Sequence, residues 1–448
     1  MKTVAFRTPA EIEAESDLNR SSKIDGSAKV FSLQNIKSLL GGRMPGQLII
    51  QITDNCNAHC PQCEMRVKNR YVRTDLQEGV VYKALEAASE RNIAAVSFTG
   101  GEPFLDTDRL VRYINYAGEC GIPYIRTGTN AYMFRSQHAD KVRSKALLIA
   151  EKLAETPLRN LWFSLDSAEP QVHDSMRGMA HLFSSIEQAA SIFHDAGIWP
   201  TANLGINRNL GGLPLRMADN ATDEGKRVFR KACYDAFDRF LQRAVDMGFT
   251  IVNFCYPMSV ESDPSSGLTA AYRASSADDV VRFTPEEKIE LFSAMFEVIQ
   301  RYRSKIRIFT PRSMLFELVE QYQKQAETGY GCRGGIDFFF MLASDGQVYP
   351  CGFRSDESMG PFEQLNWKAI DPKATCKRCD WECFRDPSTM AGPLLDVMQA
   401  PGHLIKRLWK DSDWMKLWWQ DLRYQRATDY CNGRVAPDYG ALSKALPQ

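Results

Sequence analysis

Three cysteines crowd into one short run, Cys56, Cys60 and Cys63, with the spacing Cys-x3-Cys-x2-Cys. Thiolates at this density are ligands for soft metals. A zinc ion would need a fourth ligand, for which His59 is near enough. A 4Fe–4S cluster would take the three thiolates on three irons and leave the fourth open to a small chelating ligand. The spacing permits both. A second feature is Gly100-Gly101-Glu102-Pro103. Glycines there let a ligand approach the backbone closely, and a carboxylate can accept hydrogen bonds from an ammonium group. Six further cysteines lie late in the chain: Cys332, Cys351, Cys376, Cys379, Cys383 and Cys431. This uneven distribution suggests two metal-bearing regions separated by a scaffold.

The elements that must position these residues are short apolar runs. Gln47–Thr53, Ala94–Thr99, Tyr124–Thr129, Asn160–Asp166, Trp199–Ile206 and Thr250–Cys255 read as six strands, and helical patterns such as Gly79–Arg91 and Leu182–Ala196 separate them. Strand–helix alternation at this spacing makes βαβ units and a parallel sheet. Six units fit a partial barrel better than the closed eightfold one. The cysteine trio then follows the first strand, the Gly-Gly-Glu-Pro run follows the second, and Cys255 ends the sixth. Thr284, Pro285 and two glutamates open a helix over Pro285–Arg303. The stretch Ser259–Asp279 reads as a long loop or lid. Phe338–Ala343 and Gln347–Tyr349, joined by Ser344-Asp345-Gly346, read as a hairpin with Cys351 just beyond it. The expected class is α/β: a polar extension over 1–45, a partial (β/α)6 TIM-like barrel over 46–304, and a small cysteine-rich α+β domain with a C-terminal helical tail over 305–448.

Composition narrows the function classes. Basic and acidic residues both number 55 in a chain of 448, so a strongly basic nucleic-acid binder is not expected. Apolar residues at 44% and charged residues at 25% are those of a globular protein. No apolar run is long enough for a transmembrane helix, and MKTVAFRTPAEIEAESDLNRSSKIDG lacks the apolar stretch of a signal peptide. The expectation is a cytoplasmic chain, where twelve cysteines serve metal or redox chemistry rather than a disulfide framework.

Spacing, order and strand context of Cys56, Cys60, Cys63 and Gly100–Pro103 resemble the radical S-adenosylmethionine (SAM) superfamily over roughly Gln47–Pro257. The resemblance implies that the three thiolates hold a catalytic 4Fe–4S cluster whose open iron is chelated by SAM. Electron transfer would cleave SAM to methionine and a 5′-deoxyadenosyl radical, which removes hydrogen from an unactivated C–H bond. An external donor such as flavodoxin or ferredoxin would supply the electron. By the same resemblance Gly100, Gly101, Glu102 and Pro103 meet the SAM amino group, Ser164 and Asn130 the ribose, and Arg177, in His173-Asp174-x-x-Arg177, the SAM carboxylate. His173 is read as fixing a loop.

The late cysteines resemble the auxiliary-cluster extension called SPASM or twitch, whose opening Cys, spaced Gly and Cys match Cys332, Gly346 and Cys351. The middle run departs from it, with three cysteines in place of four. A fully protein-ligated 4Fe–4S cluster takes four. We expect at least one auxiliary cluster, held by Cys332, Cys351, Cys376 and Cys379. Cys383 is a substitute for one of the last pair, and Cys431 either a remote ligand or a buried small side chain. A zinc ribbon is the competing reading of these cysteines.

Cys255 is read as a thiol able to return a hydrogen atom to a substrate radical, turning abstraction into epimerisation. The favoured substrate is a ribosomally made peptide that is oxidised, cross-linked or epimerised. The alternatives are dehydrogenation or epimerisation of a sugar, aminocyclitol or other small metabolite, transfer of another SAM fragment, or a zinc-binding protein with no catalysis. Trp409, Trp414, Trp418 and Trp419 fall in an amphipathic helical stretch, expected to pack on the barrel rather than lie on a membrane surface.

Overall fold

All six expected strands form, each within two residues of its expected ends: β1 (Gly46–Thr53), β2 (Ile93–Gly100), β3 (Tyr124–Thr129), β4 (Leu158–Ser164), β5 (Thr201–Gly205) and β6 (Ile251–Cys255). They pair parallel in chain order, as the alternating helices require. The computed structural model describes residues 38–66, 72–217, 222–257, 267–272, 278–323 and 329–445. Most of the polar extension and most of the Ser259–Asp279 loop therefore lie outside the described residues.

Three shorter strands complete the sheet. β7 (Arg307–Ile308) adds beside β6, while β8 (Phe338–Met341) and β9 (Val348–Tyr349) add at the other edge. The expected hairpin is present, with Phe340 opposite Tyr349 and Met341 opposite Val348. Its first strand also pairs parallel with β1, placing Phe338 opposite Gln47 and Met341 opposite Ile50. The segment that carries Cys351 thus hangs from the same sheet that delivers Cys56.

Side chains along β3 to β6 alternate between buried and half-buried. The buried set faces the helices. Phe163 packs edge-on against Phe193 of the Leu182–Asp195 helix at 5.3 Å, and Phe254 against Phe237 of the Asp223–Asp246 helix at 5.8 Å. Each such ring contributes about 1.5–3 kcal/mol of burial. The half-buried set, which includes Arg126, Trp162, Ser164, Asn203, Asn253 and Cys255, faces the other way, into the barrel interior.

The helix over Pro285–Tyr302 opens as expected. Thr284 Oγ1 accepts from the Glu287 N–H at 3.2 Å, and Glu287 Oε2 accepts from the Thr284 N–H at 2.9 Å. Lys288 on this helix donates to Asp380 at 2.8 Å, and Arg385 donates to the Cys379 carbonyl at 2.7 Å. These bonds fix the loop before the Glu382–Gln399 helix. The tryptophan-rich stretch forms two helices, Pro401–Lys410 and Ser412–Thr428. Trp414 and Trp418 are buried, their indoles donating to the carbonyls of Ser313 and Met390, whereas Trp409 and Trp419 are exposed. Among the described residues no helix is long and apolar enough to cross a membrane.

Candidate active site

The backbone leaving β1 is clasped by the loop leaving β2. Gly101 N–H donates to Thr53 O and Glu102 N–H to Asn55 O, both at 2.8 Å. A Cβ on Gly100, whose φ is +139°, would meet Thr53 O at 2.2 Å, and one on Gly101 would meet Asn55 O at 2.0 Å. The glycine pair is therefore required by the chain's own approach to the residues just before Cys56. Pro103 then opens a single turn of 3-10 helix, Pro103–Asp106.

Glu102 is buried and holds two loops together. Its carboxylate accepts from the Phe104 N–H at 3.0 Å and from the Asn130 N–H at 2.7 Å. Burial pushes this carboxyl up to about 7, against the lowering effect of those donors. Asn130, just after β3, donates to Asn57 Oδ1 at 3.0 Å and stands 3.9 Å from Cys56 Sγ. The loops after β1, β2 and β3 thus form one hydrogen-bonded rim.

Arg177 closes the rim from the fourth strand. It forks onto Asp166, Nε at 2.6 Å and Nη2 at 2.7 Å, and its Nη1 reaches Cys60 Sγ at 3.5 Å. His173 stands behind it, fully buried. Its Nδ1 accepts from the Asp166 N–H at 3.1 Å, and burial lowers its pKa to about 4. The ring is held neutral and fixes the Asp166 loop. Ser164 ends β4 opposite Asn203, half-buried and facing the interior. His59 faces solvent.

The three thiols suit a cluster. Burial raises the pKa of all three, Cys63 to about 12 with the charge of Cys60 adding to the effect. Such thiols resist ionisation alone, and a multiply charged iron site reverses that preference. The Arg177 guanidinium and the Ala58 N–H, 3.5 Å from Cys56 Sγ, supply donors to sulfur of the kind that support a cluster.

A second set of thiols lines a small cavity: Cys332, Cys351, Cys376 and Cys379, with Trp381 and Phe384. Cys332 and Cys376 are joined by a backbone hydrogen bond of 2.7 Å. Backbone N–H groups of Gly334 and Phe353 each lie 3.4 Å from the sulfurs of Cys332 and Cys351. Burial raises the thiols of Cys332, Cys351 and Cys379, the last to about 12. Four thiols with sulfur-directed donors in an apolar recess match the ligand demand of one fully protein-bound cluster.

Cys383 stands apart from these four. The Glu382–Gln399 helix begins just before it and turns it toward the barrel, where its Sγ lies 3.4 Å from Glu382 Oε1. The same carboxylate accepts from the Tyr256 N–H at 3.0 Å and from the Cys255 thiol. Cys255 also reaches Asn203 Oδ1 at 3.5 Å. Two thiols thus meet on one acid inside the barrel, and burial pushes that acid up to about 7. Cys431 sits at the other end, where β3 and β4 begin. Its carbonyl accepts from Asn160 at 2.8 Å and from the Tyr124 hydroxyl. Sequence reasoning missed Asp166 as the partner of Arg177, and Glu382. The signal for Glu382 was an acid directly beside a cysteine at the start of a helix.

A parallel barrel whose first strand delivers three thiols into a polar rim at its C-terminal edge is built for an iron–sulfur cofactor and a small ligand. Residues 50–211 match the model of the radical SAM superfamily, so the chain carries a radical SAM domain. Domains of this superfamily use a 4Fe–4S cluster and SAM. The GTP 3′,8-cyclase of Clostridium botulinum is 30% identical over 159 residues, which cover 34% of this chain and 45% of the relative. The PqqA peptide cyclase of Streptomyces rochei is 25% identical over 181 residues, 40% of this chain and 46% of the relative. The chain spans about half the length of the curated relatives it matches. Streptococcus suis SuiB bound to S-adenosylmethionine superposes with a TM-score of 0.47 at 16% identity, covering 79% of this chain and 68% of that one.

Proposed function

We propose that this chain is a radical SAM enzyme that oxidises, cross-links or epimerises a peptide at an unactivated C–H bond. When bound, the cluster and SAM supply a carbon radical able to remove that hydrogen. Cys56, Cys60 and Cys63 hold the catalytic cluster. The rim of Gly101, Glu102, Asn130 and Arg177 keeps the thiols and the ligand space in one geometry, so positioning rather than acid–base chemistry is the protein's main task. Cys332, Cys351, Cys376 and Cys379 hold an auxiliary cluster. An external reductant such as flavodoxin or ferredoxin supplies electrons.

The observation that carries this reading is the barrel interior between the two thiol sets. Tyr272 stands in it, its hydroxyl 3.2 Å from Thr99 Oγ1 and its backbone N–H 2.8 Å from Gly352 O, beside Cys351. The tyrosine is within electrostatic reach of Cys63, Cys255 and Cys383. A substrate held there lies between the hydrogen-abstracting site and the auxiliary site, with the Cys255 thiol available as a hydrogen donor. The likeness to PqqA peptide cyclase supports a peptide, and the likeness to GTP 3′,8-cyclase supports a small metabolite as the second reading.

The test is anoxic reconstitution. Purified protein should be brown, contain iron and sulfide, and release 5′-deoxyadenosine from SAM with a reductant. Candidate peptides encoded beside the gene should lose hydrogen or gain a cross-link by mass spectrometry. Zinc in place of iron would remove the reading, and methylthioadenosine as the nucleoside product would reassign the chemistry to transfer of another SAM fragment.

A further inference from the structure

The barrel interior holds an arginine that, among the described residues, is in no ion pair. Arg126 lies at an inward position of β3, half-buried, its Nε donating to Ser97 Oγ. Its guanidinium stands 5.1 Å from the centre of the Trp162 ring and 5.9 Å from that of Tyr124. Among the described residues no carboxylate pairs with it, although Asp166, Glu287 and Asp421 each hold an arginine of their own. With Nε engaged, the two Nη groups remain, the edge of the fork that matches an oxyanion.

A second donor sits beside it without a partner. Trp162 Nε1 is buried, and among the described residues nothing accepts its hydrogen. Indole nitrogen only donates, and a buried unmade hydrogen bond is costly. The ring is held in place by β3, where Gly128 lies directly opposite Trp162 and a Cβ would approach the tryptophan side chain to 3.3 Å. Arg126 is also within electrostatic reach of Cys255 and Cys383, so this donor set shares its space with the paired thiols.

We propose that Arg126 and Trp162 form an anion-recognition site in the barrel interior and that the substrate presents a carboxylate to it. A single guanidinium balances the one charge of a carboxylate. Such a group is available as an acidic side chain or C-terminus of a peptide, or on a small metabolite. The inference deepens the proposed function, because it names a chemical handle that orients the substrate against the radical-generating rim.

The probes are N-acetylglycine, N-acetylglycinamide and inorganic phosphate, added to the full-length reconstituted protein and followed by ligand-observed NMR. N-acetylglycine should bind and its amide should not. Arg126→Gln should weaken binding by at least about tenfold and Arg126→Lys by less, because the charge remains but the fork is lost. Trp162→Phe keeps the stacking face and removes only the N–H, so it should weaken binding several-fold, and it maintains the test should Arg126→Gln fail to fold. Equal binding of acid and amide, or wild-type affinity in both Arg126→Gln and Trp162→Phe, would overturn the proposal. Tighter, Arg126-dependent binding of phosphate would overturn the carboxylate assignment. Failure of the wild-type protein to cleave SAM would remove the proposed function and leave the binding result intact.

Discussion

Removing Arg177 should cost more than removing the pair it belongs to. Asp166 is buried, its side chain 1% exposed, and the guanidinium supplies its two short hydrogen bonds of 2.6 and 2.7 Å. Arg177→Ala leaves a buried carboxylate uncompensated, for which the expected loss is about 3–5 kcal/mol. Arg177→Lys keeps a charge and gives up the fork, so its loss should be nearer 1.5–3 kcal/mol, about that of one charge-assisted hydrogen bond. In the double variant Asp166→Ala/Arg177→Ala the stranded charge is gone, and the chain should recover part of what Arg177→Ala lost. The assay is hydrogen–deuterium exchange of the segment over 158–178 in the metal-free chain, with urea unfolding followed by tryptophan fluorescence alongside. Exchange in this segment should accelerate most in Arg177→Ala. If the double variant were the least protected of the three, the cost would come from lost packing, and the argument from an unpaired charge would be wrong.

Three further outcomes follow from the same geometry. His173 is neutral because burial lowers its pKa from an ordinary 6.5 to about 4, so the unfolded chain takes up a proton first as the solution is acidified. The stability it contributes is complete above about pH 6.5 and falls toward pH 4 by about 3 kcal/mol, a slope that His173→Asn should remove in urea titrations. Cys379→Ala should lower the iron content of a chain already lacking Cys56, Cys60 and Cys63, while Cys383→Ala should leave it unchanged; equal loss in both would place Cys383 among the ligands. Cys255→Ala should continue to release 5′-deoxyadenosine while product turnover stops, and an unchanged product yield removes the thiol from the mechanism.

The six strands were legible because parallel strands under helices are apolar runs of five to eight residues, bounded by turns and helices with their own signals. β7 has two residues, too few to show a pattern. The parallel pairing of β8 with β1 joins residues almost 300 positions apart, and no local signal carries it. Cys56, Cys60 and Cys63 follow β1, where the strand reading put them, and Cys332, Cys351, Cys376 and Cys379 line one cavity. The side chain of Cys383 points toward Glu382 and the barrel, because the Glu382–Gln399 helix begins between it and Cys379, and sequence proximity carries no signal of that turn. Arg126 offered a weak signal: a charged residue in the middle of YIRTGT, on the alternate positions that face inward. The glycine pair was read as room for a ligand, and the structure fills that room with the backbone of Thr53 and Asn55.

The β1–β8 ladder couples the two thiol sets more tightly than a linker would. Cys56 leaves the C-terminal end of β1, and the hairpin begun by β8 delivers Cys351 immediately after β9. Both sites therefore inherit their separation from one register, Gln47 opposite Phe338. A slip of one residue would exchange the two faces of β8, turning Phe339 and Met341 out of the main core and Phe338 and Phe340 away from the cluster around Trp381. Four buried large side chains oppose that slip, so the register is strongly specified. Electron exchange and hydrogen abstraction across a shared interior both depend on fixed separation. A rigid sheet between the two thiol sets meets that demand of the proposed chemistry; Glu382 and Cys383 reach the same interior from the segment after β9, and Tyr272 from the one between β6 and β7.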